Sequence, residues 1–201
     1  KDYISGTKFL EPLTKFNVVS VNFENDVTEI PIFGEMDGAQ GKEILFIYIP
    51  DGVTSLPFRF CQLTPVIKCE FTENSQCETW VGLTFWGAKS LREIVIPPQL
   101  TAFPTKDGGA FDGCSRLEKL AFAQNAEITY IEGWYFEDTA IKEMILPDSI
   151  TTITQRLFQG MRKLEYVRFG KYVNAISNTV NGDFSLFHDC VNLKTVVIPG
   201  T

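Results

Sequence analysis

Apolar and polar residues alternate along this chain in short hexamers, each of which can be registered by its last apolar residue. These anchors are Phe23, Ile49, Phe71, Ile96, Phe122, Leu146, Phe169 and Ile198, at a mean interval of 25 residues. Ahead of each anchor, apolar residues stand five and two positions back, as Leu117 and Leu120 do before Phe122, and Leu193 and Val196 before Ile198. Side chains alternate along a strand, so the anchor and its −2 neighbour share one face while positions −1 and −3 share the other. The pattern predicts eight strands. Segment 111–122 returns at 187–198 with its apolar positions kept and its polar ones changed. A unit of this size buries its apolar face only against neighbouring units, so the chain reads as a solenoid.

The rest of each unit is also ordered. Ile49, Ile96, Leu146 and Ile198 are followed by proline, whereas Phe23, Phe71, Phe122 and Phe169 are not, so two coil types alternate. Proline ends a ladder because it has no N–H to donate. Beyond the strand comes an apolar-x-x-apolar element (Val53/Leu56, Cys77/Trp80, Ile128/Ile131, Ile150/Ile153), often with Thr between, which predicts a second short strand. A Phe-x-x-(Cys or small)-x-x-Leu segment follows, as in Phe111/Cys114/Leu117. Its spacing of three predicts a turn of 3₁₀ or α-helix leading back to the sheet. Thr139 takes the Cys position of one coil, with one residue fewer before Ile141.

The combination of Leu-x-x-Ile-x-Ile-Pro, a Thr column and Phe-x-x-Cys-x-x-Leu, seen at 91–117 and 164–193, resembles the BspA-like (Treponema-type) leucine-rich repeats. That resemblance implies an α/β-type, mostly β solenoid: a right-handed superhelix with one parallel sheet of about eight strands and short helical turns. Residues 1–17 are expected to form an N-terminal cap and 18–201 the repeat array of about eight coils. The family further implies an extracellular or cell-surface setting, with several members acting as adhesins. It supplies no catalytic residue to carry over. Residues 1–6 do not read as a signal sequence, and no apolar run is long enough to span a membrane.

Composition narrows the partners. With 44% hydrophobic residues the chain can fill one packed domain. A formal net charge of −7, with Lys and Arg scattered, argues against nucleic acid, whose binding needs clustered cations. Of five cysteines, Cys69, Cys114 and Cys190 occupy apolar repeat columns and are expected to be buried and unpaired; Cys61 falls off the pattern. The single histidine, His188, lies two residues from Cys190 on a turn, a poor arrangement for Cys-His catalysis. No catalytic residue, metal site or cofactor is expected.

The open sheet face is the informative surface. Its −3 row reads Ser20, Phe46, Lys68, Glu93, Lys119, Glu143, Tyr166, Thr195, with an alternation of charge suited to cross-strand pairing. Its −1 row reads Asn22, Tyr48, Glu70, Val95, Ala121, Ile145, Arg168, Val197, placing apolar residues where water is expected. Such a track with aromatic and Arg edges suits a protein partner, for which Phe46, Tyr48, Val95, Ile145, Tyr166 and Arg168 are the candidates. Insertions in the loops add Lys106, Asp107, Asn181 and Asp183. The expected function is an adhesin-like recognition module; the alternatives are a structural spacer in a larger surface protein, or a weak glycan-binding module using Trp86, Trp134 and Tyr135.

Overall fold

The computed structural model describes residues 20–24, 26–33, 45–104, 109–154, 156–177 and 186–200. The expected cap at 1–17 lies outside them, as do Lys106, Asp107, Asn181 and Asp183. All eight anchored strands form: β1 (Ser20–Asn22), β2 (Phe46–Ile49), β4 (Lys68–Phe71), β6 (Glu93–Ile96), β7 (Lys119–Phe122), β9 (Glu143–Ile145), β11 (Tyr166–Arg168) and β13 (Thr195–Val197). Between them lie the second-layer strands β3 (Ser55–Leu56), β5 (Thr79–Trp80), β8 (Tyr130–Ile131), β10 (Thr152–Thr154) and β12 (Ala175–Ser177). Every pairing is parallel and follows chain order within its layer. The chain is therefore a parallel β-solenoid.

Burial follows the repeat. The −2 residues Ile47, Cys69, Ile94, Leu120, Met144 and Val167 are all buried, and so are the −5 residues Leu91, Leu117, Ile141 and Leu164. The Thr column marks where second-layer pairing begins: the Thr54, Thr129 and Thr151 carbonyls each accept two N–H groups from the next coil. Aromatic rings fill the corner between the layers. Phe85 stacks on Phe111 at 5.6 Å and Phe111 on Phe136 at 5.9 Å, while Trp80 touches Phe71, Phe85, Phe103 and Phe111.

Two expectations are corrected. The Phe turns are not helical, and the described residues contain no helix. In each turn the N–H of the Cys-position residue donates to the Phe carbonyl three residues back, as from Ala88 to Phe85, Cys114 to Phe111 and Met161 to Phe158. The residue before it has positive φ: Gly87, Gly113 and Gly160, but also Leu63, Asp138 and Asp189. A hydrogen-bonded turn whose third residue is left-handed has the type II pattern, which cannot continue into a right-handed helix. The second correction concerns the sheet, which is divided into a ladder of β1, β2, β4, β6 and β7 and another of β9, β11 and β13.

The cysteines are all free. Cys61 belongs to the repeat after all: its N–H donates to the Thr84 carbonyl, which sets it in the Phe column beside Phe85. Phe60 supplies the ring in its place, 6.0 Å from Phe85. Cys69 and Cys114 are buried as expected, whereas Cys190, in the last coil, is only partly buried.

Candidate functional site

The register places the two face rows as the alternation requires. Phe46, Lys68, Glu93 and Lys119 stand side by side, and so do Glu143, Tyr166 and Thr195; in the other row Val95 adjoins Ala121, and Arg168 stands between Ile145 and Val197. Tyr48, Val95 and Ile145 are 39%, 51% and 47% exposed, while Phe46, Tyr166 and Arg168 are half-buried. The six face candidates thus share one open surface, but they do not form one uninterrupted patch.

Charge pairing on this face is partial. Lys68 reaches Glu70 at 2.5 Å and Glu93 at 3.2 Å, and these hydrogen bonds hold its ammonium above the ordinary lysine value. The same alternation continues to Lys119 and Glu143, yet no ion pair joins those two. The charge pairing ends at Glu93, since Lys119 makes an ion pair with neither neighbour.

Two junctions in the sheet are thin. β4 meets β6 at the single pair Lys68 and Glu93, and β7 and β9 form no ladder pair, whereas β2 with β4 and β6 with β7 each pair at four positions. Both thin junctions run from a Phe coil to an Ile-Pro coil, where Pro97 or Pro147 cannot supply the amide that would close the strand end. Each also involves a strand entered through a turn one residue short, Thr64-Pro65-Val66 before β4 and Thr139-Ala140-Ile141 before β9. In both turns the Thr hydroxyl donates to the carbonyl three residues back within its own coil. By contrast, the Cys114 and Cys190 thiols donate across to the Phe85 and Phe158 carbonyls of the preceding coil, at 3.0 and 2.9 Å.

A recess opens on the face at each thin junction. The one between β4 and β6 has a volume of about 160 Å³ and is lined by Lys68–Phe71, Glu93, Ile94, Val95 and Lys119. The one between β7 and β9 is about 800 Å³ and runs the full length of both strands, from Glu118 to Gln124 on one wall and from Lys142 to Asp148 on the other, with Arg168 at its margin. No ion pair engages Lys119, Lys142 or Arg168 among the described residues. At the far end the backbone N–H and the ammonium of Lys171 hold the Asp148 carboxyl below its ordinary value, with Arg168 adding to the effect.

The cleft itself has no sequence motif. Its signals are a missing residue before Ile141 and the proline after Leu146, neither of which announces a site by residue type. Chemistry elsewhere is sparse. Burial pushes the Cys114 thiol up to about 12 and the Cys77 and Cys190 thiols to about 11, so they are poor nucleophiles at neutral pH. The Cys190 thiol is engaged with the Phe158 carbonyl, while His188 lies 3.4 Å from Asp189. No group of three or more potential metal ligands occurs among the described residues. The indoles are also occupied: Trp86 Nε1 donates to Asp112, and the Arg156 guanidinium lies over the Trp134 ring.

Among solved structures, the pneumococcal vaccine antigen PcpA matches with a TM-score of 0.57 at 19% identity, over 77% of this chain and 35% of that one. A leucine-rich repeat protein from Bacteroides ovatus matches with a TM-score of 0.34 at 19% identity, over 76% of this chain and 55% of that one. The chain thus spans about a third of the length of the first and just over half of the second. No curated protein matches it. The profile of the BspA type leucine-rich repeat region matches residues 82–201 in six copies, more than half of the chain, and the chain belongs to that family.

Proposed function

We propose that this chain is a non-catalytic recognition module of a cell-surface or secreted protein, adhesin-like in that its open sheet face binds another protein. The observation that carries this reading is the exposure of Tyr48, Val95 and Ile145 in one row of a sheet face, with Tyr166 and Arg168 beside them. A solvated face needs no such residues, and aromatic and Arg side chains at the edge of an apolar track are what protein interfaces concentrate. The family membership and the pneumococcal antigen support a surface setting.

The test is surface plasmon resonance of the intact chain against a panel of host matrix proteins. Tyr48→Ala, Tyr166→Ala and Arg168→Ala should each weaken a binder by about 1–2 kcal/mol while the melting curve stays in place. Loss on changing Lys106 and Asp183, with no effect from the sheet face, would move the site to the loops.

A further inference from the structure

We propose that the solenoid carries a hinge at the β7–β9 junction, where the front sheet bends about the second layer. The open face then works as two plates, one carrying Phe46, Tyr48 and Val95 and the other Ile145, Tyr166 and Arg168, whose relative tilt adapts to a protein laid across both. That use rests on the reading of the face as a protein-binding surface, whereas the bending itself does not.

On the front, nothing directional joins the plates. The Lys119 and Ala123 amides donate back to the Arg92 and Ile96 carbonyls, and the Leu146 amide donates forward to Arg168. Alternation along a strand turns the Leu120 amide toward β9 and the Ile145 amide toward β7. No backbone hydrogen bond nevertheless passes between 117–122 and 141–146. Neighbouring junctions differ: the Arg92 carbonyl takes the Glu118 and Lys119 amides, the Lys142 carbonyl those of Glu165 and Tyr166, and the Glu165 carbonyl those of Lys194 and Thr195. The equivalent Glu118 carbonyl takes neither Lys142 nor Glu143. Lys119 and Glu143 form no ion pair, and no ring contact joins Phe136 to Phe158. Leu120, Met144 and Leu146 are buried, so apolar packing alone closes the front. Such packing sets no angle, whereas ladder hydrogen bonds fix both spacing and orientation, so the closed junction tilts without breaking a bond.

Behind the front, the same two coils are bonded along the second layer and the turn. β10 pairs with β8 through Thr152 with Tyr130 and Ile153 with Ile131, and the Thr129 carbonyl takes the Thr151 and Thr152 amides. In the turn, Trp134 donates to Arg156 and Asp138 to Gly160. A bonded back and an unbonded front make an axis, because rotation about the back leaves its hydrogen bonds in place. The other thin junction lacks this contrast. At β4–β6 the Lys68–Glu93 pair spans the front and Phe85 stacks on Phe111 behind it.

The experiment measures distances between nitroxide labels on the intact chain, in a Cys190→Ala background that removes the one thiol that is not buried. Val95→Cys with Arg168→Cys sets labels on the front across the junction, three strand spacings or about 14 Å apart. Thr101→Cys with Ala175→Cys does the same on the back of the same two coils, and Ile145→Cys with Val197→Cys stays within one front ladder. The front pair should give a distance distribution at least about twice as wide as either control, as hinge motion confined to one junction requires. A front distribution as narrow as that of the within-ladder pair overturns the hinge. Equal broadening of the back pair also overturns it, since the junction would then be loose with no axis. A wide front pair, combined with failure of Tyr48→Ala and Arg168→Ala to weaken any matrix protein, keeps the hinge and overturns the use assigned to it.

Discussion

The two thin junctions of the sheet begin from the same defects and end differently. Each has a proline at the end of the incoming strand and a turn short by one residue on one side, yet the β4–β6 recess is about 160 Å³ and the β7–β9 cleft about 800 Å³. What separates them is the rest of the coil. At β4–β6 the Lys68–Glu93 bridge spans the face, and behind it Trp80 packs against Phe103 and Phe111 of the next coil while Phe85 stacks on Phe111. At β7–β9 the charged pair is not made, and the ring column itself has a gap: Phe111 reaches Phe136 and Phe158 reaches Phe187, but no ring contact joins Phe136 to Phe158. A missing ladder is therefore tolerated in two ways, by packing that holds the coils together or by an opening.

The largest change expected is from Trp80→Ala. It removes a ring that is 3% exposed and bridges two coils, so it should cost about 3–5 kcal/mol in urea unfolding. It should also convert the tight junction into one like β7–β9, seen as faster hydrogen exchange of the β4 and β6 amides. Unchanged exchange there would show that the ion pair and second layer suffice to close it.

Hydrogen exchange in the unmodified chain gives a finer test. The Leu120 and Ile145 amides, directed into the cleft, should exchange at least about tenfold faster than the neighbouring Ala121 amide, which faces β6 within the ladder. Equal protection of adjacent residues would mean that the edges are paired in solution and the cleft closed.

The smallest effect is expected from Glu93→Gln. The pair is exposed, so its loss should leave the melting curve essentially unchanged. Because Lys68 is held above its ordinary value, its contribution is complete below the unfolded lysine value and lost only as pH rises through the folded one. The β4–β6 junction should then be indifferent to pH between about 6 and 9, well below lysine titration. A marked shift in that window would assign the closure to groups other than this pair.

The strands, their inward columns and the second layer were legible because period-two alternation and a 25-residue repeat each leave a signal at every coil. The turn was harder. A spacing of three from Phe to Cys serves a helical turn and a β-turn alike, and only the third residue separates them. Gly87, Gly113 and Gly160 carry that signal, but Leu63, Asp138 and Asp189 occupy the same left-handed position and hide it. Cys61 was obscured because the ring of its coil comes from Phe60, one residue early. The cleft was legible only in its cause. The short turn at Thr139 and the proline after Leu146 stand in the sequence, but Thr64 and Pro97 show the same defects at a junction that packing keeps nearly shut.

The alternation of Ile-Pro and Phe coils also bears on how such an array changes length. The two four-position pairings, β2 with β4 and β6 with β7, each join an Ile-Pro strand to the Phe strand after it, and a thin junction follows each, whereas β1 with β2, β9 with β11 and β11 with β13 pair at three positions. Successive Ile-Pro anchors are 47, 50 and 52 residues apart, and that double unit is the smallest piece that carries a well-paired interface within itself. Recombination that copied or deleted a single coil would set two strands of one type side by side, whereas exchange in double units would leave every internal pairing as it was. Grafting, truncation and lengthening of this chain should therefore succeed in steps of two coils, with breakpoints at the proline-terminated junctions.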